Sequence, residues 1–194
     1  LTQLEGKVLA IGETGSGANH LAREMPAATR IDDGQINLVE VDTVEAANKL
    51  RNGTIDAALF VSAPTSSLIR DLLLNADLEL MSFDRAAAYS AQLTHLTSLT
   101  LPQGAIDLRD NVPSEDKHLV STVANLIVSK DIHPDLLRLM TIAVVTTHES
   151  GGLFERRFEF PNFDHADLPI GAEERAYLER IRSGESTLDN YLPF

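Results

Sequence analysis

The stretch Val8-Leu9-Ala10-Ile11-Gly12-Glu13-Thr14-Gly15-Ser16-Gly17-Ala18-Asn19 decides how the chain is read. Four consecutive apolar residues read as a buried strand. The glycine-rich turn Gly12 to Gly17 follows, and a helix is expected from about Ala18 to Met25. Strand, loop and helix in that order present unpaired backbone N–H groups and the positive end of a helix dipole, an arrangement suited to a carboxylate, phosphate or sulfate. The same loop also serves as a plain strand-to-helix turn without a ligand, and both readings stay open on these residues.

Sharper motifs fail at this loop. A Walker loop needs Lys-Ser/Thr directly after Gly17, where Ala18-Asn19 stand. Glycines at 12, 15 and 17 have the wrong spacing for a dinucleotide fingerprint. A nucleophile elbow around Ser16 needs glycines at 14 and 18 and finds Thr14 and Ala18.

Working outward, the alternation continues. Ile36 to Val41 reads as a second strand, Thr43 as the cap of a helix through Leu50, and Gly53 as its close. Ala57 to Val61 reads as a third strand, Ser66 as the cap of a helix carrying Leu68, Ile69, Leu72 and Leu73, and Leu78 to Met81 as a fourth strand. Strands alternating with helices predict an α/β fold whose parallel or mixed sheet is sandwiched by helices. Beyond a helix near Asp84 to Gln92, Leu96 to Leu101 alternates poorly and stops at Pro102. Val120 to Val128 reads as a long strand interrupted by Asn125. Pro134 opens an amphipathic helix with Leu136, Leu137, Leu139, Met140, Ala143 and Val144, and a last polar helix is expected near Ala172 to Arg182. The chain ends on the apolar Tyr191-Leu192-Pro193-Phe194.

Composition bounds the function. The 194 residues hold 16 Lys+Arg against 29 Asp+Glu, a net charge of −13, which argues against binding nucleic acid or anionic lipid. There is no cysteine, so thiol catalysis, disulfides and thiolate zinc sites are excluded. No apolar run is longer than Ala57 to Val61, against the roughly 20 residues of a membrane helix. The histidines at 20, 95, 118, 133, 148 and 165 include no i, i+4 pair, so no metal is expected; Asp32-Asp33 and Glu173-Glu174 read as solvated carboxylates.

Ser62-Ala63-Pro64 forms a second candidate loop. In open α/β sheets ligands sit beyond the carboxyl ends of the strands, and the ends of strands one and three bring Gly12 to Asn19 and Ser62 to Pro64 to that side.

These pieces resemble a known family. Leu4-Glu5-Gly6-Lys7-Val8-Leu9-Ala10-Ile11-Gly12 with Gly15-Ser16-Gly17 resembles the start of the second lobe in solute-binding proteins of the TAXI subfamily of tripartite ATP-independent periplasmic (TRAP) transporters. The likeness continues in order through Ile55 to Val61, Leu101-Pro102-Gln103-Gly104, Val123 to Val128, Ile132-His133-Pro134, Phe158-Glu159-Phe160-Pro161 and Tyr191 to Phe194. It implies a type II periplasmic-binding fold, with residues 1–120 as the second ligand-binding lobe and 121–194 as a return strand and helical extension belonging to or packing on a first lobe whose N-terminal part precedes this chain. It further implies a non-enzymatic, periplasmic or otherwise extracytoplasmic module, without cofactor, that captures a small organic anion or amino acid for a membrane transporter subunit. A membrane anchor after Phe194 would account for the apolar end.

The resemblance carries ligand contacts to Thr14, Gly15, Ser16 and Gly17; Ala18, Asn19, Ser62 and Ala63 join them as candidates. The Ser16 hydroxyl and the N–H groups near Gly17 and Ala18 would each supply about 1.5–3 kcal/mol of charge-assisted bonding before desolvation. Where the family commonly has Thr after Gly-Ser-Gly, this chain has Ala18, so either Asn19 supplies the missing group or the ligand differs. Two further readings remain: an enzyme using the Ser16 loop as an anion hole with His20 as the nearby imidazole, and a membrane-linked sensing domain.

Overall fold

The computed structural model describes residues 2–29 and 34–163 together with 175, 176, 178–180 and 183. Three of the four strands expected in the first half form a parallel sheet flanked by helices, the second and third of them shorter than the expected stretches Ile36 to Val41 and Ala57 to Val61. Strand β1 (Val8–Ala10) lies between β2 (Asn37–Val39) and β3 (Ala57–Ala58), parallel to both, with Leu9 opposite Leu38 on one side and Ala57 on the other. The ladder runs past the formal strand ends, since the Ile11 N–H donates to Val39 O at 3.0 Å and the Leu59 N–H to Ala10 O at 2.8 Å.

Side chains alternate across a strand, so the apolar run of β1 feeds two cores. Leu9 and Ile11 pack with Ala22 of helix α1 (Gly17–Ala28) and with Ile36. Ala10 packs on the opposite face with Val41, Ile55 and Ala46 of helix α2 (Thr43–Arg51). One helix therefore covers each face. At the N-terminal edge of this sheet Asp56 ties β1 to β3, accepting from the Val8 N–H at 2.8 Å and from Lys7 Nζ at 3.2 Å.

The chain forms two compact units, Leu1–Thr122 and Val123–Phe194. In the first, α3 (Ser67–Leu73) and α4 (Ala86–Gln92) precede an antiparallel pair, β4 (Leu96–Leu101) with β5 (Lys117–Thr122), in register from Leu96↔Thr122 to Leu101↔Lys117. Leu21 and Met25 of α1, Tyr89 of α4 and Leu96 of β4 share a third apolar cluster. In the second unit, α5 (Pro134–His148) opens with proline in its first turn, where a missing N–H costs nothing, and the His133 ring accepts from the Asp135 N–H. Leu126, Ile127, Leu136 and Leu139 of this unit are exposed.

Several expectations are corrected. Helix α1 starts at Gly17, one residue early, because Ser16 is its cap, and runs on to Ala28, with Thr29 at its C-cap. The cap of α2 is Asp42, whose carboxylate accepts from the Glu45 N–H at 2.8 Å, and Thr43 is already helical. Ser66 occupies the cap position of α3 without a side-chain capping bond. Leu78 to Met81 is not a strand: Glu79 instead reaches the buried Lys117 amine at 3.0 Å, and Ser82 accepts from the His118 N–H, so the segment is tethered beside β5 without joining a ladder. The strand expected over Val120 to Val128 ends at Thr122, where its partner β4 runs out. Asp32-Asp33, His165, Glu173-Glu174 and the tail Tyr191 to Phe194 lie outside the described residues, as does most of the last helix expected at Ala172 to Arg182.

Candidate ligand cleft

All three parallel strands point their carboxyl ends at one cleft of ≈ 230 Å³. The loop after β1 contributes Gly12, Glu13, Ser16, Gly17 and Ala18; the loop after β2 contributes Val41, Asp42, Thr43 and Ala46; the segment after β3 contributes Leu59, Phe60 and Val61. Strand order β2-β1-β3 reverses direction beside β1, and such reversals open a crevice because the helices leaving adjacent strands go to opposite faces. Consequently the first turns of α1 and α2 both line it. Each leaves backbone N–H groups without helical partners, so the cleft has a positive inner wall of dipolar origin.

The loop conformation follows from its glycines. Gly12 sits at φ +80°, and a Cβ there would stand 2.8 Å from Ser16 Oγ and 3.2 Å from Ala18 Cβ. The absence of that atom lets Ser16 fold back, where its hydroxyl accepts from the Asn19 N–H at 3.2 Å and caps α1. Capping uses one acceptor position of the hydroxyl and leaves its proton available to a ligand.

Among the candidate residues, Ser16, Gly17 and Ala18 line the cleft. Thr14 and Gly15 form the exposed tip of the loop, and Thr14 gives its hydroxyl proton to Glu40. Asn19 is buried, its amide divided between Gly12 O at 3.2 Å and Arg23 Nε at 3.0 Å. Ser62 and Ala63 follow the β3 lining directly and are exposed. Sequence reasoning missed the β2–α2 loop, though its signal was present: a strand followed by Asp42-Thr43 before a helix is the same strand-end pattern as at Gly12. Glu13 and Asp42 also line the cleft, and the Asp42 carboxylate is engaged there as the cap of α2. His20, the imidazole nearest the loop in sequence, is exposed and lies 3.8 Å from Glu24. Among the described residues no group of three or more His, Asp or Glu is arranged to hold a metal ion.

Two carboxyls among the described residues have shifted acidities. Hydrogen bonds from Thr14, Asn19 and Arg23 hold Glu40 below the usual carboxylate range, and those from the Val8 N–H and Lys7 do the same for Asp56. A carboxyl whose folded pKa is depressed stabilises the fold above its unfolded pKa of about 4, and that contribution is lost as pH falls through the folded value. The urea midpoint is therefore expected to stay level from about pH 7 to pH 5 and to drop toward pH 3. The double variant Glu40→Gln/Asp56→Asn should start lower and show a shallower drop; an equal slope would assign the acid sensitivity to other groups.

The family model of the NMT1-like family matches residues 1–149, spanning the whole cleft. The chain belongs to the NMT1-like family. No curated protein matches the chain. The NMT1-like family is periplasmic solute-binding-like and extracytoplasmic, which at that level gives the chain a small-molecule ligand and a transporter partner. Among the described residues no helix is long and apolar enough to cross a membrane.

Proposed function

We propose that this NMT1-like chain is the ligand-capturing part of a TAXI-type TRAP solute-binding protein, taking a small organic carboxylate or an amino acid and passing it to a membrane transporter subunit without chemical change. The observation that carries this reading is the convergence of the α1 and α2 N-termini on one cleft at the ends of three parallel strands. A ligand carboxylate would bond to the free N–H groups of Gly17 and Ala18 and to the Ser16 hydroxyl. The Glu13 carboxylate, which also lines the cleft, favours a ligand that carries an ammonium group as well, which ranks an α-amino acid above a dicarboxylate. With a net charge of −13, long-range attraction of an anion is absent, so capture rests on these local dipoles.

In this reading residues 1–120 serve as the second lobe and 121–194 return to the first. Exposed Leu126, Ile127, Leu136 and Leu139 are the apolar surface that such packing would cover. Closure of two lobes over the ligand would then signal occupancy as a population shift between open and closed forms. Calorimetric titration of the protein with L-glutamate, L-glutamine and succinate, with product analysis of each mixture, tests the proposal. Saturable binding with the compound recovered intact supports it. Turnover that disappears in Ser16→Ala and His20→Asn would replace it with the anion-hole enzyme.

A further inference from the structure

Four hydrogen bonds link the glycine-rich loop to Asn19, Arg23 and Glu40, none of which lines the cleft. Thr14 at the loop tip donates to one oxygen of Glu40, which directly follows β2; the other oxygen accepts from Arg23 Nη2 at 2.6 Å. Arg23 Nε in turn donates to Asn19 Oδ1 at 3.0 Å, and Asn19 Nδ2 donates to Gly12 O at 3.2 Å. The chain of bonds leaves the loop at its tip and re-enters it at its base. Both carboxylate oxygens are used, and one guanidinium serves two acceptors in a rigid planar fork whose geometry a lysine ammonium does not reproduce.

We propose that Glu40 is a positioning residue that holds the Gly12–Ser16 loop in its ligand-ready shape. This rests on the cleft being the ligand site, since the loop it orders carries Ser16 and leads to Gly17 and Ala18. Ordering the loop before binding removes an entropy cost from the binding step, the usual benefit of preorganisation. Glu40 does not line the cleft, and its lowered pKa agrees with a carboxylate gripped by Thr14 and Arg23.

Residue-resolved amide exchange on the ligand-free full chain tests the positioning directly. The loop's bonded amides, Ser16 N–H to Glu13 O and Asn19 N–H to Ser16 Oγ, report on its order; Ile11 N–H, bonded to Val39 O, reports on the sheet. In Glu40→Gln, exchange at Ser16 and Asn19 should rise about 10-fold with Ile11 unchanged. Arg23→Lys should act in the same direction, and the double variant should go no further than the larger single one, because the residues are links of one chain. Unchanged exchange at Ser16 and Asn19, or a rise shared equally by Ile11, would overturn the proposal. A parallel titration with L-glutamate separates the two readings: a freed loop in Glu40→Gln beside a wild type that binds no probe keeps the positioning and removes the ligand assignment.

Discussion

Replacing Ala18 with Asp should leave the fold intact and abolish capture of a carboxylate. Ala18 is the second residue of α1 and lines the cleft. A carboxylate in a first helical turn meets the positive end of the dipole and stabilises the helix by about 0.3–1 kcal/mol, so the urea midpoint should hold or rise slightly. The same carboxylate would stand about 4–5 Å from a bound anion. At an effective dielectric constant near 20 that repulsion is about 3–4 kcal/mol, an affinity loss of more than 100-fold. The opposite signs make the result diagnostic, because general damage would lower both. Binding that survives unchanged would mean that the ligand carboxylate sits elsewhere.

Gly12→Ala should be the costliest change in the loop, at about 2–3 kcal/mol. Adopting φ +80° costs a residue with a Cβ about 1–2 kcal/mol, and the new atom 2.8 Å from Ser16 Oγ must push that hydroxyl off the Asn19 N–H, forfeiting about 1 kcal/mol of capping. Gly15→Ala is the control. Its φ of +84° carries the same backbone cost, but no atom lies within 4 Å of the added Cβ, so only about 1–2 kcal/mol is expected. Urea unfolding of both variants measures the difference, and equal losses would mean that the Ser16 contact is not what requires glycine at 12. Since Ser16 moves in one variant and not in the other, only Gly12→Ala should also weaken ligand binding strongly.

The sheet and its glycine-rich turn were legible because their signals are local. Four apolar residues before a glycine at positive φ, followed by a helix-period segment, specify strand, turn and helix without distant partners. Strand ends were not legible, because a strand lasts as long as its neighbour. The β-prone stretch Val120 to Val128 contains no stop at Thr122; the stop is set by Leu96, where β4 begins. Leu78 to Met81 has strand composition but finds only Glu79–Lys117 and Ser82–His118 tethers in place of a ladder. Helix caps were ambiguous for a similar reason, since Asp42 and Thr43 are both good capping residues and backbone geometry alone chooses between them.

The site divided along the same line. Ser16, Gly17 and Ala18 could be singled out because a loop between a strand and a helix announces free N–H groups. The second wall, Val41 to Ala46, follows from strand order, which brings the end of β2 beside the end of β1. Glu40 was invisible because its role depends on four bonds to residues between 12 and 23 that only the fold assembles.

The most direct test of the account is a titration followed in two-dimensional amide spectra, using L-glutamate and succinate as probes. The account predicts saturable shifts greatest at Ser16, Gly17 and Ala18, smaller ones at Asp42, Thr43 and Leu59 to Val61, and no loss of the added compound. Saturable shifts at other residues with Ser16 to Ala18 unmoved, or conversion of a probe to product, would contradict it.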